Sequence, residues 1–163
     1  MKLRRTAYHE AAHAIVAAHL RLVVDEVGIE VAARFEAGAV VSARGRPLAR
    51  ATVLAAGAEA ERRLTGGEPR GNEGDEDELA EMSSGTAARG RAEARGLVPA
   101  LWPYIGALAE GLIESNHMTG PTAIFFALVR VHGVEEAQRR EALLPVGRAF
   151  DLTADCNQPG AAP

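Results

Sequence analysis

The sequence predicts a mainly α fold: a compact helical domain with a small β-hairpin or short sheet after the first helix. Three observations carry that reading. Arg5–Leu20 is an alanine-rich run without Gly or Pro, which favours helix. Arg21–Val31, "RLVVDEVGIEV", is rich in β-branched residues and bounded by turn-prone ones, as a strand is. Beyond Val98 the chain returns to helix-forming composition and keeps it to Leu144.

Taken in order, the first helix is followed by that strand, and "FEAGAVVSARG" supplies a short antiparallel partner for it. "PLARATVLAAGAEAERRL", Pro47–Leu64, reads as a helix with Pro near its start and "TGG" just past its end. "TGGEPRGNEGDEDE" combines Gly, Pro, Asn and acids and reads as the clearest loop. From Asp75 onward Leu79, Met82 and Ala87 recur at helical spacing, although Gly85 and Gly90 argue against one continuous helix. "VPALWPYIGALAEGLIESNHM" and "GPTAIFFALVRVHGVEEAQRREALL" complete an α-rich C-terminal half. Residues 1–150 are expected to form a single domain and residues 151–163 a disordered tail.

Composition narrows the function classes. A chain of 163 residues buries roughly 70% of its unfolded surface as one domain. It is 47% hydrophobic and 25% charged with a net charge of −4, so no basic field is present to hold nucleic acid or an anionic membrane. Aromatics make up only 4%, too few for a base-stacking surface. Cys156 is the single cysteine, which excludes an internal disulfide and fits a reducing, cytoplasmic setting. No secretory signal or membrane-length apolar span is evident.

The chemistry concentrates in "TAYHEAAHAIVAAHL", Thr6–Leu20. "HEAAH" fits H-E-x-x-H, whose logic is helical. Residues four apart share a face, with β-carbons about 6 Å apart. His9 and His13 can therefore aim imidazole nitrogens at one Zn²⁺ at about 2.0–2.1 Å. Glu10 flanks the same face, where it can take a proton from a water activated by the metal. Three ionisable groups buried among alanines without a role would cost several kcal/mol, which weighs against a merely solvated face. His19 is a decoy. It stands where a longer metzincin pattern places a third histidine, but Val16 occupies the position of that pattern's turn glycine. On an uninterrupted helix His19 lies about 240° around the axis from His13.

A catalytic zinc needs a third protein ligand, and the acid run "EGDEDELAEM" is the best source. Asp75 is favoured because Leu79 and Met82 then follow four and seven residues later on one buried face. Asp77 and Glu78 are the alternatives. For the oxyanion of a reacting carbonyl, Tyr8 and His117 qualify by residue type, although a core or surface role suits each better.

Four segments, in order, resemble the FtsH-type peptidase family, the proteolytic domain of membrane-bound AAA proteases. "AYHEAAHAIV" is similar to its "YHEAGHA" helix, and "LAAGAEAERRLTGG" to its "LAGRAAEELxxG" helix. "GDEDELAEM" resembles the segment that carries the third zinc ligand, and "LWPYIGALAEGLIESNHMTGPTAI" the closing lobe. The likeness spans most of residues 6–128. It implies that His9, His13 and Asp75 hold Zn²⁺ and that Glu10 is the catalytic glutamate. Ala12 replaces the family's usual glycine, and the aspartate segment lacks its "N-D-L" wording, which leaves Asp77 in play.

Lys2 is the only lysine, so no Walker-type phosphate loop is present. The expectation is a stand-alone, ATP-independent zinc metalloendopeptidase acting on unfolded or flexible polypeptide. A separate ATPase or adaptor is a conceivable partner, and the oligomeric state is left open. A peptide could pair with the edge of the Val23–Val31 hairpin. A second reading is a non-catalytic, metal-stabilised binding or regulatory protein. A third is a repressor-cleaving peptidase, which would need a dedicated protein partner.

Overall fold

The computed structural model describes residues 2–29, 38–42, 46–70 and 73–142. The predicted tail, with Cys156, and the turn of the predicted hairpin lie outside them. The elements run α1 (Lys2–His19), β1 (Val23–Gly28), β2 (Gly38–Ser42), α2 (Pro47–Thr65), α3 (Glu73–Glu81), α4 (Ser84–Ala100), α5 (Trp102–Ser115), β3 (His117–Thr119), α6 (Gly120–His132) and α7 (Val134–Ala142). The architecture is mainly helical with a small three-stranded antiparallel sheet.

Helix α1 is the centre of the molecule. Every residue from Ala7 to Ala18 is buried, because a helix apolar all round must be enclosed on all sides. α2, α5, β1 and β2 all pack against it. It ends without glycine: Arg21 takes a positive φ of 59°, while Leu20 and Leu22 donate back to the carbonyls of Val16 and Ala17, both at 2.9 Å. The chain is thereby turned directly into β1.

β1 is the middle strand, in the order β2-β1-β3. Val27 pairs with Ala39 on one side and Met118 on the other. The ladder shifts register between Val24 and Glu26, so the inward side chains are Val24 and Val27 rather than an alternating set. The predicted pairing of β1 with β2 is present. β3 falls within a stretch read as helical, because three residues are too few to show a period. Both sides of β1 are occupied where β3 pairs, and among the described residues no strand pairs with the outer edge of β2.

Two hydrophobic clusters follow from this arrangement. The larger joins α1, β1, α5 and α6 around Ile15, Val27, Ile105, Leu108, Leu112 and Leu128. The smaller joins α2, α3 and α4 through Ala51, Ala55, Leu79, Ala87 and Ala94. Gly90 does not interrupt α4 but permits its contact with α2: a Cβ there would fall 2.5 Å from that of Ala51. The helical break is at Met82–Ser83 instead, where the Ser83 side chain accepts from the Thr86 N–H at 3.3 Å. The second half of the predicted acidic loop is helix α3, with Leu79 as its buried residue. Among the described residues no single helix is long and apolar enough to cross a membrane. α4 and α5 reach that length only as a pair bent by 81°.

Candidate metal centre

α1 packs against α2, and His9 and His13 of α1 face Gly57 of α2. A Cβ at Gly57 would fall 2.5 Å from His9 Nε2 and 2.7 Å from His13 Nε2. Only glycine leaves room for both rings. The imidazoles sit edge to face with centroids 4.6 Å apart and planes at 76°, so α1 delivers them as a converging pair, as the i,i+4 spacing predicts.

Each ring is fixed through its outer nitrogen. His13 Nδ1 donates to the Val53 carbonyl at 2.7 Å, and His9 Nδ1 lies 2.9 Å from Glu61 Oε1. Both Nε2 atoms are thereby directed inward, where Asp75 Oδ2 meets them at 2.9 and 3.2 Å. The ligand atoms of His9, His13 and Asp75 lie within 4.8 Å of one another. An ion with bonds of about 2.0–2.2 Å sets its tetrahedral ligand atoms about 3.4 Å apart, so a small opening of this triangle admits one. The donor set of two imidazoles and one carboxylate suits zinc. With both Nδ1 atoms committed and the space of a missing Cβ beneath the rings, these residues fit a metal ion.

Electrostatics tell the same story. Burial alone would lower the His9 pKa, but hydrogen bonds to Asp75 and Glu61 and the nearby Glu10 charge outweigh it and raise it to about 10. Burial would raise the Asp75 carboxyl, yet His13 and His9 hold it well below the usual carboxylate range. These opposite shifts favour a cationic His9 beside an anionic Asp75. Glu10 is 7% exposed. Its carboxyl is raised, first by burial and then by Asp75 and Glu61, against the opposing pull of His13 and His9. A carboxyl made more basic by burial beside two imidazoles is a better proton acceptor than a solvated one.

The alternatives weighed from sequence separate clearly. Asp77 and Glu78 are exposed, and Glu78 pairs with Arg50 at 2.6 Å. His19 ends α1 and is no member of the triad. The Tyr8 hydroxyl lies 3.4 Å from Glu110 of α5, and His117 meets Glu26 across β1 and β3 at 3.2 Å. Neither belongs to the ligand group.

Two participants were missed. Gly57 read simply as part of an α2 helix, and Glu61 as one of its acids. Glu61 is 2% exposed. Besides His9 it receives the Arg5 guanidinium and the Arg70 backbone N–H, the latter at 3.1 Å. Burial would raise its pKa, but these three donors hold it below the ordinary value. The available signal was spacing: Gly57 and Glu61 are four apart on an alanine-lined face, the helical complement of His9 and His13.

No protein-family model matches the chain, and no curated protein matches it significantly. What can be said of its class therefore rests on the fold and this triad: a mainly helical protein with a buried two-histidine, one-aspartate group able to hold a metal ion.

Proposed function

We propose that the protein is a zinc-dependent endopeptidase that cleaves unfolded or flexible polypeptide, in the manner of the FtsH-type peptidases it resembles in sequence. The observation that supports this most is the convergence of His9, His13 and Asp75, three ligands from two separate helices, with Glu10 buried next to His9. Three protein ligands leave a fourth tetrahedral position for water or substrate. Zn²⁺, when bound, would acidify water and polarise the scissile carbonyl.

The chain's own residues do the rest. His9 and His13 present Nε2 because Glu61 and the Val53 carbonyl hold their Nδ1 atoms. Glu10 accepts the proton of the attacking water at its carboxylate and later returns it to the leaving amine. An extended substrate can add its backbone to the outer edge of β2, whose other edge is taken by β1. Such pairing favours extended chains and demands little of their side chains.

The test is cleavage of an unstructured protein with and without chelator, alongside Glu10→Gln. The expected result is activity that chelation removes and zinc restores. Glu10→Gln should retain zinc while turnover drops by about 10²–10⁴-fold. Cleavage that survives metal removal, or Glu10→Gln cleaving at the wild-type rate, would refute the proposal; zinc binding with no cleavage at all would refute it in favour of a metal-stabilised binding protein.

A further inference from the structure

On the face of α2 away from Gly57, a cavity of about 290 Å³ opens between the C-terminal halves of α2 and α4. Its lining is Glu59, Arg62, Arg63, Arg95, Val98 and Pro99, none of which belongs to the metal centre. Three arginines against one glutamate leave a formal charge of +2 in a small space. Glu59 is nearly enclosed, with 13% of its side chain exposed, and it holds Arg62 Nη1 at 2.8 Å and Arg95 Nε at 3.4 Å. The Arg63 guanidinium carbon lies 5.1 Å from the Trp102 ring centroid, a cation–π contact that uses none of its N–H donors.

The bland account is that Arg62 and Arg63, in the last turn of α2, offset the negative end of the helix dipole. That account leaves Arg95 unexplained, since it comes from a different helix to the same carboxylate. Each guanidinium has five donors; Glu59 takes one each from Arg62 and Arg95, and outside the lining the exposed Glu68 carboxylate stands 4.0 Å from Arg62 Nε. Surplus donors, a +2 charge and an apolar wall of Val98 and Pro99 together describe a receptor for an oxyanion with an apolar body.

We propose that this cavity binds a small phosphorylated molecule, with its phosphoryl group among Arg62, Arg63 and Arg95 and its remainder against Val98 and Pro99. A phosphoryl dianion matches the +2 lining where a carboxylate does not, and arginine forks suit its oxygens. The volume lies near the lower bound for small-molecule sites and exceeds what a bare phosphate needs. In this arrangement Glu59 is the internal competitor that holds the arginines in place until the ligand arrives.

The experiment is calorimetric titration of the full-length, chelator-treated protein with phenyl phosphate, inorganic phosphate and benzoate. Removing metal first keeps phosphate from binding at the histidine site. Phenyl phosphate is expected to bind most tightly, inorganic phosphate more weakly, and benzoate least. Arg95→Ala, an exposed position whose change should leave the fold intact, is expected to weaken phenyl phosphate at least about tenfold. Glu59→Gln is expected to strengthen it, and neither variant should alter zinc binding. Absence of phenyl phosphate binding, equal affinity for benzoate, indifference to Arg95→Ala, or weakening by Glu59→Gln would each overturn the assignment.

Discussion

The two sides of the candidate metal centre are built very differently. On one side, His9 and His13 sit on a helix buried through twelve consecutive residues, Ala7 to Ala18, and lean on Gly57 of a second, nineteen-residue helix. On the other, Asp75 rides on α3, nine residues long, in which Leu79 is the buried anchor. The comparison teaches that one half is prebuilt by packing, while the other is held by one buried apolar residue, by the ion pairs of Glu76 with Arg91 and Glu78 with Arg50, and by the contacts of Asp75 with the two histidines. Binding of a metal should therefore order α3 far more than α1 or α2, since a site that joins two elements adds its binding energy to their docking.

The most damaging change to the prebuilt half is Gly57→Ala. Its methyl would collide with both ligand nitrogens, so the variant is expected to lose stoichiometric zinc, as metal analysis after dialysis would show. Retention of full zinc would mean that α2 can shift away from the histidines at little cost.

On the weaker half, Leu79→Ala removes the side chain that seats α3 against Ala51, Ala55, Ala87 and Ala94. The cost should be about 2–5 kcal/mol if α3 stays docked and smaller if it detaches. In either case zinc affinity should fall while the α1–α2 core persists, with hydrogen exchange rising first in α3. Uniform loosening of α1 and α3 would erase the distinction between the halves.

Glu61→Gln tests the clamp behind His9. A carboxylate behind a ligating histidine raises its basicity and fixes its ring. Its replacement is expected to reduce zinc affinity about 10–100-fold, without changing the requirement for Glu10. An affinity equal to wild type would assign Glu61 to the Arg5 ion pair alone.

The mildest perturbation is pH. In the metal-free protein His9 is raised from 6.5 to about 10, so its stabilising ion pair is fully present below pH 6.5 and is lost as pH climbs through about 10. Zinc must displace that proton. Apparent affinity should therefore rise about tenfold per pH unit between roughly pH 7 and 9, with proton release on binding. Asp75, shifted downward, is already ionised there and adds no slope. Competition titrations at several pH values would show a flat profile if His9 were neutral at pH 7.

The sequence alone determined the helix that pairs His9 with His13, because i,i+4 spacing is a property of local geometry that no partner can alter. It determined the mainly α character and the β1–β2 pairing for the same reason: periodicity and turn residues are local signals. It also narrowed the candidate third ligand to a short acidic run and favoured Asp75 through the spacing of Leu79 and Met82. Only the tertiary structure separated Asp75 from Asp77, since the choice depends on how α3 rotates as Leu79 docks against α2 and α4. It alone revealed Gly57 and Glu61 as parts of the centre, because a missing Cβ or a buried carboxylate acquires meaning only when another helix is laid against it. Hydrogen bonds and close contacts across α1 and α2 join residues some fifty positions apart, and no local pattern in the chain encodes that meeting.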